Sequence, residues 1–411
     1  MSKRIIIIGG GIIGLLSSRE LLRRGHEVTL LEGGNLRGSA SSGNAGVISP
    51  GHPPIPTPDV ANRALKMMLD RRSPLYIPPR PSLSLLNWLL AFRKACRPSH
   101  YKMVSDVLDR FSMRSRELFD PLLKEIPSAL EASGFWELVR TPEGLHHLVT
   151  ERDRLEKAGF DVELKEGDDL HAEVGGWDQT VRAGLVHRLG IVARPDELLL
   201  HLAERMQAEG GTLRTASKVS RIHRDGQRFD SVELESSERI EGDTLLVTAG
   251  IWTTRFASDL DIRIPMQAAK GYHVMLEMER PPDCAAVLQE ACVVVNPMGT
   301  HVRLAGTLEL SGINDRMVRR RLDMLAEATR AYLSRIEQAK RVSEWNGLRP
   351  CTADGLPAIG QVPGLGNAFV ATGHAMMGVT LGPGTAELVA DCIDGRSIPD
   401  WARPMDIARY R

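Results

Sequence analysis

Arg4 to Ile8 is one arginine followed by four isoleucines, and Gly9-Gly10-Gly11-Ile12-Ile13-Gly14 follows directly. From Ile12 the apolar positions recur at helical spacing as far as Arg24. Gly25 breaks the pattern, and Val28 to Leu31 is a second apolar run ending in Glu32. Short β-branched runs bounded by glycine predict strands, and the 3.6-residue period between them predicts a helix. The opening therefore reads strand, tight turn, helix, strand. In that setting Gly9 allows the turn, Gly11 lets backbone approach a pyrophosphate, and Gly14 lets the helix pack close to the strand. The helix start at Ile12 and Ile13 points free N–H groups at phosphates. Glu32, with Gly33 beside it, sits where an acid accepts hydrogen bonds from a ribose. The spacing predicts dinucleotide binding; NAD and FAD share this fingerprint.

Beyond Glu32 the pattern turns small and polar. Gly33 to Gly46 holds five glycines, and Pro50 to Pro58 five prolines. The first stretch can wrap closely around an extended ligand, and the second is an extended connector. From Asp59 to about Glu131 the period is mostly helical. Strands are expected at Glu137–Val139, Val162–Leu164 and Ala183–His187, with a helix over Arg152–Ala158. An amphipathic helix starts at Arg194-Pro195-Asp196 and closes at Gly210-Gly211. Further strands are expected at Thr212–Arg214, Lys218–Arg224, Ser231–Leu234 and Thr244–Val247, the last ending in the Gly250 turn. Tyr272–Glu279, Ala291–Asn296 and His301–Ala305 read as strands of a second sheet, and Arg316–Ser334 as a long charged helix. Gly347 to Gly360 reads as turn-rich. Ala368–Gly373 reads as a strand entering a glycine loop from His374 to Gly384, and Thr385–Asp394 as a helix. A loop that long between strand and helix exceeds the usual two to six residues and predicts ligand contact.

The pattern is thus α/β at both ends and mixed between. It predicts a Rossmann-like domain built from both ends of the chain (1–60, 185–255 and 345–411), with an α+β substrate domain inserted (61–184 and 256–344). The 411 residues suffice for two large cores. Lys plus Arg equals Asp plus Glu at 52 each, which gives no electrostatic case for nucleic acid. The five cysteines lack C-x-x-C spacing, which argues against a zinc site or a disulfide framework and fits a reducing compartment. No signal peptide is legible at the N-terminus. No His, Asp or Glu spacing suggests a metal. Leu83 to Phe92 is nearly all apolar, with Arg93, Lys94 and Arg97 after it. A helix there either lies on a membrane surface or packs within the smaller domain, where its ten-residue length is ordinary.

Several segments together carry a family likeness. They are Ile6–Gly14 with Glu32; Ser41-Ser42-Gly43-Asn44-Ala45-Gly46; Val247–Trp252; Lys270-Gly271-Tyr272; Gly347-Leu348-Arg349-Pro350 through Asp354-Gly355 and Pro357; and Thr372-Gly373-His374 through Pro383. In this order the chain resembles the FAD-dependent D-amino acid dehydrogenase and oxidase family, which includes glycine and sarcosine oxidases. Asn44-Ala45-Gly46 with Ser49-Pro50-Gly51 is most similar to the D-amino acid dehydrogenase branch, and relatives acting on hydroxy-D-proline look alike. The resemblance implies FAD lying extended, with Gly9, Gly11 and Gly14 around its pyrophosphate, Glu32 on the ribose and Val219 at the adenine. It places Ser42, Asn44, Ala45 and Gly46 along the flavin, and Ala249, Gly250, Trp252, Gly373 and His374 in the cofactor-contacting segments. The amides of Gly378, Val379, Thr380 and Leu381 face the pyrimidine edge. Branches with covalent flavin carry a Cys where Gly347 stands, so non-covalent FAD is expected. For the substrate carboxylate the resemblance offers Arg349 first. Arg303 and the Tyr272 hydroxyl are further candidates, and His52, His273 and His374 could line the pocket.

The reaction implied is hydride transfer from Cα of a D-amino acid, a D-proline type included, to flavin N5, giving an imino acid and then a 2-oxo acid. Alternatives are a sarcosine- or glycine-type amine oxidase producing peroxide, a flavoprotein subunit needing a partner, and, on the fingerprint alone, a nicotinamide dehydrogenase. The acceptor would be a quinone, a dye or O2. A cytoplasmic protein is expected, with peripheral contact to the inner face of a membrane allowed.

Overall fold

The computed structural model describes residues 2–59 and 73–410; part of the helical stretch expected after Asp59 lies outside them. Arg4–Ile8 is the third strand of a six-stranded sheet. The order is Thr212–Arg214, Glu27–Leu31, Arg4–Ile8, Thr244–Val247, Ala368–Thr372, Ala358–Gln361. All neighbours are parallel except the last pair. The isoleucine run serves both faces by strand alternation. Ile5 and Ile7 join a core formed with helices Ile12–Arg23, Pro195–Ala208 and Gly378–Asp394. Ile6 and Ile8 join a second core under the meander Val219–Asp225, Arg228–Leu234 and Arg239–Glu241. A strand buried on both sides reads as an unbroken apolar run.

The second sheet has nine strands. Its main path runs Lys340–Thr352, Met266–Glu277, His301–Glu309, Val293–Met298, Ala286–Leu288, Phe135–Val139, Ala183–His187, Val162–Glu166. One face, with Tyr272, Val274, Leu304 and Val295, packs on the helix Arg319–Thr329. The other face looks toward the first sheet across a cavity. Two sequence expectations change here. Gly347 to Thr352 is not turn-rich but the end of a thirteen-residue strand. Pro350 is tolerated because the strand is at the sheet's edge, where a missing N–H breaks no ladder. By pairing, Lys340–Thr352 and Ala183–His187 belong to the second sheet, although the sequence division put 345–352 and 185–187 with the first. The helix expected over Arg316–Ser334 is shorter, Arg319–Thr329, followed by a 3-10 turn at Ser334–Gln338.

The expected long loop at His374–Gly384 is also corrected. The helix begins at Gly378 and carries Pro383 inside it. Proline removes the N–H that would bind four residues back. Ser115, from the helix Pro98–Glu117, repairs the neighbouring turn: its hydroxyl donates to the Thr380 carbonyl at 2.6 Å and accepts from the Gly384 N–H at 3.3 Å.

The helix Leu83–Ala95 starts at a Ser82 cap, whose Oγ accepts from Leu85 N–H at 3.2 Å. Leu85, Trp88 and Ala95 are buried, and the Trp88 indole N–H donates to the Cys351 carbonyl at 3.0 Å. The packed reading thus accounts for one side of this helix only. No helix among the described residues is long and apolar enough to cross a membrane.

Candidate active site

A single cavity of about 1350 Å3 runs from the N-terminal glycine turn to Arg349 and the start of the helix at Gly378. That exceeds the ~300–1000 Å3 of a cleft for one small ligand and suits a long cofactor with a substrate beside it. Two helix N-termini open into it. At Ile12 the N–H donates to Ser41 Oγ at 3.1 Å; the next N–H groups of that first turn have no helical acceptor. At the far end Gly378, Val379 and Thr380 present theirs. The glycines make a cradle for a close ligand. A Cβ on Gly14 would stand 2.0 Å from the Gly9 carbonyl oxygen, and one on Gly9, whose φ is +110°, 2.8 Å from that of Thr248. Glu32 is fixed at the rim: its two oxygens accept from Gly10 N–H at 2.7 Å and Gly34 N–H at 2.8 Å.

Most residues expected at the cofactor line this cavity. They are Gly9, Gly11, Ile12, Ile13, Glu32, Gly33, Asn44, Ala45, Val219, Ala249, Gly250, Trp252, His374, Gly378, Val379 and Thr380. Gly14, Ser42, Gly46, Gly373 and Leu381 stand behind its wall. The Ser42 hydroxyl is used locally, donating to the Arg37 and Ser39 carbonyls. Gly46 takes a φ of +83° where a Cβ would meet Asn296 and the Ala193 carbonyl. Sequence reasoning missed Arg255, which lies over the Trp252 ring at 4.3 Å and brings a cation to the glycine-turn end of the cavity. Nothing in its sequence context marks it.

The inner face of the second sheet supplies the floor. Alternation puts Trp345, Gly347 and Arg349 of one strand, Ala269 of the next, and Ala305 and Thr307 of the third along the cavity. Arg349 is half-buried, and its Nη1 donates to the Thr307 carbonyl at 2.8 Å. Thr307 sits at a bulge with φ +58°, a costly conformation for a β-branched residue. The bulge aims this carbonyl at the guanidinium. Opposite it, Gly271 clears the space: a Cβ there would be 2.3 Å from Arg349 Cζ. Burial pushes the Arg349 pKa down from its ordinary value, and no carboxylate among the described residues pairs with it. The remaining N–H donors are left for a ligand in the cavity. A guanidinium fork has the planar, two-pronged donor geometry that suits a carboxylate.

Arg303 and Tyr272 require correction. Arg303 is buried, its Nη1 donating to the Asn44 carbonyl at 2.7 Å and the Ser42 carbonyl at 3.3 Å, with Asp196 at 3.4 Å on Nη2. Its donors hold the loop and leave no fork for a substrate. His273 donates from Nδ1 to the Gly43 carbonyl at 3.0 Å, and Asn296 from Nδ2 to the Ala45 carbonyl at 2.9 Å. Three side chains of the sheet therefore fix the carbonyls of 42–45, a role the sequence did not disclose. Tyr272 faces the opposite side from His273, as strand alternation requires, and its hydroxyl donates to Glu309 at 3.1 Å inside the core. The sheet-packing role is the one it fills.

Burial holds His52, His273 and His374 toward the neutral form. His52 lines the cavity with Nδ1 donating to the Pro53 carbonyl at 2.7 Å, and burial lowers its pKa. Burial takes His273 down to about 4 and His374 to about 3. Among the described residues, the strong cation lining the cavity away from the glycine turn is Arg349. At another edge lies Glu137, buried and held below the usual carboxylate range; burial raises its pKa, but His187 at 2.9 Å and Gln289 outweigh it.

The donor set fits FAD, whose phosphates and flavin edge want N–H groups. Gly9 to Ile13 and Glu32 would hold its ADP half, and 43–45 with 378–380 its flavin. Gly347 carries no nucleophile, and a Cβ there would lie 2.1 Å from the Trp345 ring. Cys351, also at the cavity, is an inert thiol, pushed up by burial to about 12. Acid precipitation of the purified protein is therefore expected to leave a colourless pellet and yellow supernatant; a yellow pellet would mean a covalent link.

The chain is similar to known proteins over nearly its whole length. The family model described as FAD dependent oxidoreductase (DAO) matches residues 4–392. A D-amino acid dehydrogenase of Cereibacter sphaeroides is 29% identical over 421 residues, covering 99% of this chain and 95% of its own. One from Methylobacterium radiotolerans is 28% identical over 430 residues, covering 99% of each. Among solved structures, glycine oxidase from Geobacillus kaustophilus superposes with a TM-score of 0.78 at 21% identity over 100% of both chains. L-proline dehydrogenase from P. horikoshii gives 0.75 at 17% identity, covering 100% and 98%. A match that spans the glycine turn, the second sheet and the Gly378 helix alike leaves one conclusion: the chain belongs to the DAO family of FAD-dependent oxidoreductases.

Proposed function

We propose that this chain is a D-amino acid dehydrogenase, removing a hydride from the substrate Cα to give an imino acid that water hydrolyses to a 2-oxo acid and ammonia. The observation that carries it is Arg349, a guanidinium in the cavity that has, among the described residues, a carbonyl partner and no carboxylate. Relatives named D-amino acid dehydrogenase over nearly the whole length support the D-configuration. Bound FAD supplies the two-electron acceptor. Arg349 binds the carboxylate in two-pronged fashion and so fixes the Cα–H direction; Thr307 and Gly271 keep its fork in place. The hydroxyl of Thr307 is buried without a partner among the described residues and offers one further hydrogen bond there. Neutral His374 and His52 add no competing cation. Cyclic D-prolines fit the same scheme and would stop at the cyclic imine. Such a dehydrogenase needs a second substrate that takes up the two electrons.

The test is anaerobic bleaching of the FAD-loaded protein, followed near about 450 nm, the region of oxidised flavin absorbance. D-amino acids, hydroxy-D-proline among them, are expected to bleach it, and their L-enantiomers are not. Bleaching by glycine or sarcosine alone would replace this reading with an amine oxidase. Failure with every amine would point to a chain that works only with a partner subunit.

A further inference from the structure

We propose that the outer face of the helix Leu83–Ala95 is a docking surface for an anionic lipid bilayer. Leu83, Leu86 and Leu90 are 80%, 52% and 58% exposed. They fall at i, i+3 and i+7, on one side of the helix. The opposite side is anchored by Leu85, Trp88 and Ala95, with the Trp88 indole N–H on the Cys351 carbonyl. Packing thus fixes the helix's rotation, and the leucines point outward as a consequence. The same outward stripe continues into exposed Lys94 and Arg97, with exposed Arg93 beside it.

Charge selects the occupant. From residue 73 to 105 the chain has Arg80, Arg93, Lys94, Arg97 and Lys102 and not one Asp or Glu, although the two signs balance at 52 each over the whole sequence. A two-fold contact through this face would join two segments that both lack an acid. An anionic leaflet instead meets the exposed Arg93, Lys94 and Arg97, while three leucines reach the acyl boundary as on an interfacial amphipathic helix. The inward residues Trp88, Leu89 and Phe92 line the cavity. Docking and cavity wall are therefore two sides of one helix, and the bilayer would lie directly against that wall. This inference stands apart from the choice of substrate.

The experiment uses FAD-loaded full-length protein and vesicles of phosphatidylcholine, alone or mixed with phosphatidylglycerol. Wild type is expected to co-sediment with the mixed vesicles at least about ten-fold better than with neutral ones, less so as salt rises. The L83S/L86S/L90S variant is expected to lose at least about ten-fold in partitioning while its FAD content and circular-dichroism melt stay at wild type. The K94Q/R97Q variant keeps the leucines and should lose the preference for phosphatidylglycerol. No wild-type binding to mixed vesicles, or equal binding by both variants, overturns the proposal. So does a solution dimer that the leucine variant dissociates, because a second copy would then cover this face.

Discussion

Replacing Arg349 with alanine is expected to lower kcat/KM for amino-acid substrates by about 100-fold or more, mostly through KM, with FAD still bound. The size follows from what is lost. A carboxylate brought into a partly dry cavity surrenders water, and only a charged, two-pronged donor repays that. Among the described residues the partner of Arg349 is the Thr307 backbone carbonyl, and the Thr307 hydroxyl carries no charge to replace the guanidinium. Arg349→Lys keeps the charge and loses the fork, so it should fall between wild type and alanine. Gly271→Ala tests the geometry without touching the charge. Its Cβ would sit 2.3 Å from Arg349 Cζ, forcing the guanidinium off the Thr307 carbonyl; KM should rise with flavin absorbance unaltered. Unchanged KM in Arg349→Ala, measured by initial rates with a dye acceptor, removes the carboxylate role. Unchanged KM in Gly271→Ala alone would show that the fork binds from another rotamer.

What could be read from the sequence was local. The Ile5–Glu32 segment announces itself because each element sits next in the chain to the one it packs on. Arg349 was found by resemblance; its partners were not, because Thr307 and Gly271 come from other strands and meet it only through the register of the second sheet. Alternation alone says that Tyr272 and His273 point opposite ways. It cannot say which points to the cavity, and the aromatic hydroxyl made the wrong residue attractive. Arg303 shows the same limit: an arginine on a floor strand looks like a substrate clamp until the loop carbonyls that consume it are in place. The helix at Gly378 read as a loop because Gly382, Pro383 and Gly384 are breakers by propensity. Ser115, more than 260 residues earlier, restores the missing partners, an instance of tertiary contact overriding local preference.

Gly14→Ala is expected to be the most damaging single methyl group in the N-terminal fingerprint. The added Cβ would stand 2.0 Å from the Gly9 carbonyl oxygen and 2.9 Å from Thr248 Oγ1. That hydroxyl already donates to the same Gly9 carbonyl at 2.9 Å, so the turn is pinned from its far side. The chief obstacle is backbone, and no rotamer relieves it. The helix Ile12–Arg23 must move off the turn, and it carries with it the N–H groups that face the cavity. Overpacking of this kind costs about 1–3 kcal/mol, and here it also misaligns the phosphate cradle, so both the melting temperature and the FAD content should fall. Gly11→Ala is the control. Its Cβ would meet only Ser41 Oγ, at 3.2 Å, a contact that a shift of a few tenths of an ångström relieves while that oxygen still accepts from Ile12 N–H. That variant should melt like wild type without cofactor, yet hold FAD more weakly, because the methyl group stands on the cavity side where a pyrophosphate must approach. Thermal melts of the two apoproteins, with flavin retained after gel filtration, separate the roles. If Gly14→Ala melts and binds FAD as wild type does, close helix–strand packing is not what this glycine provides. If Gly11→Ala is the variant that loses stability, the two glycines have exchanged the roles given them by their position in the turn.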